Sequence, residues 1–228
     1  MKARDVMGLH VISVGPDIPV QAVANTLVKN GISAVPVVDR NGALMGIVSE
    51  GDLMRRVEIG TERPRSWWLD LFRSNDARTH DFVKSHGRKA EDVMTESVVT
   101  VTPETSLQDI AHLLEQHGIK RVPVIEDSRV IGIVSRANLV QALASGRANE
   151  DVGTSDELLR HAIVKRLKAQ PWGGAMINVI VRDSVAELWG FVENNEEKKA
   201  VRIAAEETPD IKAVKDNLRV YPHVDSWI

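Results

Sequence analysis

Two stretches pair a hydroxyl with a short polar acceptor at one spacing: Gly46-Ile47-Val48-Ser49-Glu50-Gly51-Asp52 and Gly132-Ile133-Val134-Ser135-Arg136-Ala137-Asn138. In each, β-branched residues lead out of a glycine to a serine, and the acceptor opens a new apolar-periodic segment, the order of a strand, a tight turn and a helix start. Two chemistries fit. Ser49 and Ser135 can be N-caps, with Asp52 near a capping-box position, so that these residues only satisfy orphan N–H groups. Alternatively the helix start offers free N–H groups and a positive dipole end to an anion, the serine adds a hydroxyl, and the acceptor takes the hydroxyls of a ribose. The flanks differ in charge. Arg136, with Lys120 and Arg121 one segment away, would favour a phosphate at the second motif, whereas Glu50 would repel one at the first. Asn138 brings one acceptor oxygen where an aspartate brings two.

The elements around the motifs also occur twice. Lys2-Ala3-Arg4-Asp5-Val6-Met7 matches Lys89-Ala90-Glu91-Asp92-Val93-Met94, Gly31-Ile32 matches Gly118-Ile119, and Val35-Pro36-Val37 matches Val122-Pro123-Val124. Val11–Val14 and Val98–Val101 read as short strands stopped by Pro16 and Pro103. A helix is expected from Val20 to Asn30 on a stripe of Val20, Val23, Ala24, Leu27 and Val28, repeated by Leu107, Ile110, Ala111 and Leu114, with Gly31 and Gly118 as stops. A hairpin turning at Asn41-Gly42 and a helix from Asp52 through Val57 complete the unit, β-α-β-β-α, twice.

With these residues in view, both units resemble cystathionine-β-synthase (CBS) domains, on the D-V-M opening, the G-I-x-x-V-P-V segment and the G-I-V-S-x-x-[DN] close. The resemblance implies a tandem pair packed sheet to sheet, dimerisation through the pair, and a cleft for an adenosyl ligand such as AMP, ADP, ATP, S-adenosylmethionine or NAD. It places ribose binding on Asp52 and Asn138 and the phosphate-side hydroxyl on Ser49 and Ser135. Contacts to the base fall near Ser33-Ala34 and Lys120-Arg121, and Ser13 and Thr100 take the small hydroxyl position of the first strand.

The segment after Gly153 follows another pattern. Thr154-Ser155-Asp156-Glu157 reads as a capping box before a helix carrying Leu158, Leu159, Ala162, Ile163, Arg166 and Leu167. Strands from Met176 to Val181 and from Val185 to Glu193 flank a turn at Arg182-Asp183-Ser184. A helix from Glu196 to Glu207 is expected to bury Ala200, Ile203 and Ala204, and Val214–Val220 closes an α-β-β-α-β unit. Leu188-Trp189-Gly190-Phe191-Val192 and Ile211–Leu218 make this unit resemble a BON domain (bacterial osmotic-shock and nodulation proteins), which implies binding of phospholipid or of a protein partner. Basic and acidic residues balance across it, which weakens any electrostatic hold on anionic lipid.

The fold class is therefore α/β (α+β): a CBS domain over 1–57, an insert over 58–88 carrying Trp67-Trp68, a second CBS domain over 89–143, a linker over 144–153, a BON domain over 154–222 and a tail over 223–228. The adjacent tryptophans are expected to cover the CBS module or a dimer mate. Over 228 residues the composition is 43% hydrophobic and 27% charged with a formal net charge of -3. That near-neutrality disfavours nucleic-acid binding. The absence of cysteine removes disulfides, thiolate chemistry and Cys-zinc sites. Seven scattered histidines, His80 and His86 among them, show no metal-ligand spacing, and no G-x-S-x-G or Walker sequence occurs. A cytoplasmic, non-enzymatic regulatory protein with an adenosyl ligand is expected, or a dimeric scaffold in which the pair is purely structural.

Overall fold

The computed structural model describes residues 1–54, 56–61, 82–145, 153–172 and 177–220. Trp67-Trp68, His80, Met176 and the tail lie outside the described residues. The chain forms two compact units, one of residues 12–98 and one that joins residues 1–11 to residues 99–228. The packing units thus cut across the sequence repeat, because each D-V-M segment completes the core of the hairpin from the other copy.

In the unit of residues 12–98, β1 (Ala34–Val38) and β2 (Leu44–Ser49) pair antiparallel around a turn in which Gly42 has φ +83°. The helix Val20–Lys29 packs on the hairpin through Val20, Val23 and Leu27, and Gly31 ends it in the left-handed conformation. Val28 is 81% exposed in place of joining that stripe, since it is rotated by 100° from Leu27 about the helix axis. The helix Ala90–Val93 closes this core with Ala90 and Val93, both fully buried. Met94 then crosses Gly46, where a Cβ would lie 2.6 Å from its Sδ. A side chain at 46 would displace Met94 and press on the Thr95 carbonyl, so glycine suits this crossing of the two segments.

The expected strand Val11–Val14 is reduced to one parallel bridge, Val14 to Val37, and Val98–Val101 likewise to Val101 with Val124. Val14 donates to the Pro36 carbonyl and accepts from Val38, and the next donor along the ladder would be residue 16. Pro16, like Pro103 in the second copy, has no N–H to give. The helix expected from Asp52 to Val57 is also shorter, Glu50–Leu53, followed by a 3-10 turn at Val57–Ile59. Arg56 leaves the helix to bury its guanidinium against the carbonyls of Lys84 (2.8 Å) and Gly87 (2.7 Å).

In the other unit, β3 (Arg121–Glu126) and β4 (Arg129–Ser135) repeat the hairpin, turning at Asp127 and Ser128 with positive φ. Helix Ala3–Val6 fills its core with Ala3 and Val6, and Met7 crosses Gly132 as Met94 crosses Gly46. The helix Leu107–Gln116 contributes Ile110 and Leu114, while Ala111 is exposed. Helix Arg136–Ala144 follows β4.

The C-terminal elements are the helix Thr154–Lys168, β5 (Ile177–Arg182), β6 (Val185–Val192), the helix Asn195–Glu206 and β7 (Ala213–Val220). The sheet order is β5-β6-β7, with β6 and β7 parallel. Its core unites Leu159, Ile163, Leu167, Leu188, Val201 and Leu218 with their neighbours. The expected capping box is replaced. Gly153 is the N-cap, and buried Asp156 instead accepts from the Asp183 and Ser184 amides at 2.8 and 2.9 Å, holding the β5–β6 turn. In the second helix Val201, Ala204 and Ala205 face the core, so the stripe lies one residue away from Ala200 and Ile203, and Ile203 is 38% exposed. Leu158 is exposed as well.

Candidate functional site

Each motif sits where a hairpin's second strand runs into a helix. In the first, Ala34 on β1 pairs with Ser49 and the Glu50 amide donates to the Ser33 carbonyl at 3.0 Å, so Ser33, Ala34, Ser49 and Asp52 lie together. In the second, Arg121 pairs with Ser135 and the Arg136 amide donates to the Lys120 carbonyl at 3.0 Å. The Arg136 Nε donates to the Ile119 carbonyl at 3.2 Å, which brings its guanidinium beside the Lys120-Arg121 segment. Ser13 and Thr100 are exposed, each next to the residue that makes the single bridge to its hairpin.

Both motifs form the capping geometry. The Ser49 amide and hydroxyl donate to Asp52 Oδ2 at 2.9 and 2.7 Å, and the Ser135 amide and hydroxyl donate to Asn138 Oδ1 at 2.8 and 2.6 Å. The two acceptors then diverge. Asp52 keeps a second oxygen, and Lys84 Nζ donates to it as an ion pair while Thr95 Oγ1 donates at 3.3 Å. Asn138 has its single oxygen committed to Ser135, and its Nδ2 lies 3.5 Å from Gln141 Oε1. A diol meeting Asp52 would share the carboxylate with Lys84, whereas one meeting Asn138 finds an amide donor.

Lys84 and Thr95 carry no sequence signal as site residues: Lys84 falls in the insert and Thr95 just after the repeated D-V-M. Gln141 does carry one, since it follows Asn138 by three residues on one helix face. Lys84 also changes the charge contrast between the motifs, because a cation now stands beside Asp52 to offset Glu50. His86 stacks on Phe82 with ring centroids 4.0 Å apart. No group of three or more potential metal ligands occurs among the described residues, and none of their helices is long and apolar enough to cross a membrane.

Burial raises the Asp52 pKa, but the hydrogen bonds from Lys84 and Ser49 outweigh it and hold the carboxyl below its ordinary value of 3.8. A depressed folded pKa means that ionised Asp52 adds stability above the unfolded pKa and that this stability is lost as pH falls through the folded value. Urea midpoints for the unit of residues 12–98 are therefore expected to fall as pH drops below about 4, and Lys84→Met is expected to flatten that decline. An equal decline in wild type and variant would remove Lys84 from the account.

CBS domain models match residues 3–59 and 90–145, and a BON domain model matches residues 155–222. An uncharacterized protein of Methanocaldococcus jannaschii is 34% identical over 50% of this chain and 75% of its own length. The chloroplastic CBS domain-containing protein CBSX2 of Arabidopsis thaliana is 32% identical over 59% of this chain, which spans 58% of that relative. A crystal structure of CBSX2 in complex with AMP superposes with a TM-score of 0.56 at 29% identity, over 64% of this chain and 98% of that one.

Proposed function

The chain belongs to the CBS-domain family and carries a C-terminal BON domain, and from that premise we propose that it is a non-enzymatic cytoplasmic regulator that binds an adenosyl nucleotide at its Ser-x-x-Asp/Asn motifs. Ligand occupancy is relayed to the BON domain, which engages a protein or phospholipid partner, and the CBS pair dimerises the chain. One observation carries the reading: at both motifs a serine hydroxyl, a helix start, a short polar acceptor and the adjacent strand's backbone converge, in a chain similar to one crystallised with AMP. A ribose would meet Asp52 on one motif. At the second motif, taken by itself, Arg136 and the Lys120-Arg121 segment favour a phosphate-bearing ligand such as AMP or ATP, while the acidic first motif suits S-adenosylmethionine. The roles of Ser13, Ser33, Ala34 and Thr100 rest on the family resemblance, and of these Ala34 pairs with Ser49 and the Ser33 carbonyl accepts from the Glu50 amide.

A second reading is favoured by a specific geometry: both acceptors already satisfy their own helix caps, as a purely structural pair requires. Calorimetric titration with AMP, ATP and S-adenosylmethionine separates the two. Saturable heat that Asp52→Ala diminishes supports the regulator, and no heat from any ligand supports the scaffold.

A further inference from the structure

The helix that begins at Ser135 touches the C-terminal sheet through side-chain amides. Gln141 Oε1 accepts from Asn178 Nδ2 at 2.8 Å and from Asn138 Nδ2 at 3.5 Å. Asn138 and Asn178 are buried, 9% and 8% exposed, and both belong to the unit that includes residues 99–228. Asn178 lies on β5 opposite Trp189, and its Oδ1 is buried with no hydrogen-bond partner among the described residues, so Gln141 supplies its one side-chain hydrogen bond. The strand Ile177–Arg182 also packs against helix Ala3–Val6, which places it on the second CBS core as well as in the BON sheet.

We propose that Gln141 is the positioning residue that couples the Ser135–Asn138 motif to the BON domain, by sharing one carbonyl oxygen between Asn138 and Asn178. This deepens the nucleotide-binding reading and rests on it for the physiological signal. The geometry sets the sign. A ligand hydroxyl that accepts from Asn138 Nδ2 draws that donor away, leaves the Gln141 oxygen to Asn178 alone, and tightens β5. A group that forces Gln141 to turn its amide toward position 138 does the reverse, taking the acceptor from Asn178 and leaving a buried amide without partners, which is unfavourable. Because coupling is reciprocal for binding, a partner of the BON domain must alter ligand affinity at the Asn138 motif by the factor by which the ligand alters partner affinity.

Asn138→Asp isolates the effect. It preserves an oxygen for the Ser135 cap while replacing the amide donor by a carboxylate that attracts the Gln141 amide and repels its carbonyl. Hydrogen exchange of the full chain without nucleotide is expected to quicken over residues 177–182 by about fivefold, the order of one ordinary hydrogen bond, while residues 121–126 stay within about twofold. In a Gln141→Met background the same substitution is expected to leave 177–182 unchanged. If a general loss of stability accompanies Asn138→Asp, exchange rises in both segments and their ratio still reads the local term. No selective change over 177–182, or a change that persists in Gln141→Met, overturns the coupling. Adding AMP to the wild type tests the reading beneath it: slower exchange over 177–182 supports both. A protein that ignores AMP yet responds to Asn138→Asp retains the coupling and loses AMP as its signal.

Discussion

Deletion of residues 1–8 is expected to unfold the hairpin of the second repeat, not that of the first. Ala3 and Val6 are fully buried and Met7 is 3% exposed, all in the core formed by Val122, Val124, Val134 and Ile110. Burying a valine and a methionine is worth about 1.5–3 kcal/mol each. The deletion also removes the paired backbone bonds of Gly8 with Ile133 and the donation from the Ala3 amide to the Thr105 carbonyl. A loss of roughly 4–6 kcal/mol follows, comparable to the whole stability of an ordinary domain. Hydrogen exchange reads the location: protection should collapse over residues 121–135 and persist over residues 34–49. Collapse of the first hairpin instead would contradict the crossed packing.

The second large effect is expected at Arg160. Its side chain, 2% exposed, donates from Nε to the Val179 carbonyl at 2.7 Å and from Nη2 to the Met7 carbonyl, and so joins the BON helix, the BON sheet and the N-terminal segment. Burial pushes its pKa down to about 10, and the charges of Asp5 and Glu157 oppose that shift, so it stays protonated at neutral pH. Arg160→Met keeps most of the volume but strands two carbonyls and removes one of the positive charges, with the N-terminus and Arg4, that favour ionised Asp5. The expected cost is about 3–5 kcal/mol, read as a lowered urea midpoint at unchanged slope. Burial already raises the Asp5 pKa above its ordinary 3.8, and losing Arg160 raises it further, so ionised Asp5 becomes costlier and the deficit should be larger at pH 7 than at pH 3, where Asp5 is protonated in both states. A midpoint within experimental error of wild type would mean that Arg160 does not hold these elements together.

Both effects arise from features that the sequence conceals. Periodicity shows which face of a segment is apolar, and Val6 and Val93 were legible as members of a repeated motif, but nothing in a pattern says that they are buried or which copy's core receives them. The motifs themselves were legible, because Ser49, Asp52, Ser135 and Asn138 recur with their strands and turns, and the capping geometry is local. Asp52's partners were not. Lys84 reaches it from 32 positions away, from within the insert, a contact that no local pattern announces. The strand ending at Pro16 was legible, but its shortness was not: the missing N–H of Pro16 falls on the ladder position right after Val14, so a single bridge remains. At the BON helix the cap is Gly153, one residue before the expected Thr154, and Asp156 holds two turn amides of the β5–β6 hairpin, a role that only tertiary structure reveals. Gln141 stood in plain view at three residues from Asn138, but its second partner, Asn178, belongs to another domain.

The central claim is that the motifs bind a nucleotide in addition to capping their helices. Calorimetric titration of AMP into the full chain and into Asp52→Ala tests it most directly. Saturable binding by the wild type, weakened about tenfold or more in the variant while the fold persists, is the predicted result, as expected when a charged acceptor that orders a diol is removed. Absence of binding by the wild type, or equal affinity in the variant, would contradict the account and leave Ser49 and Asp52 as helix caps alone.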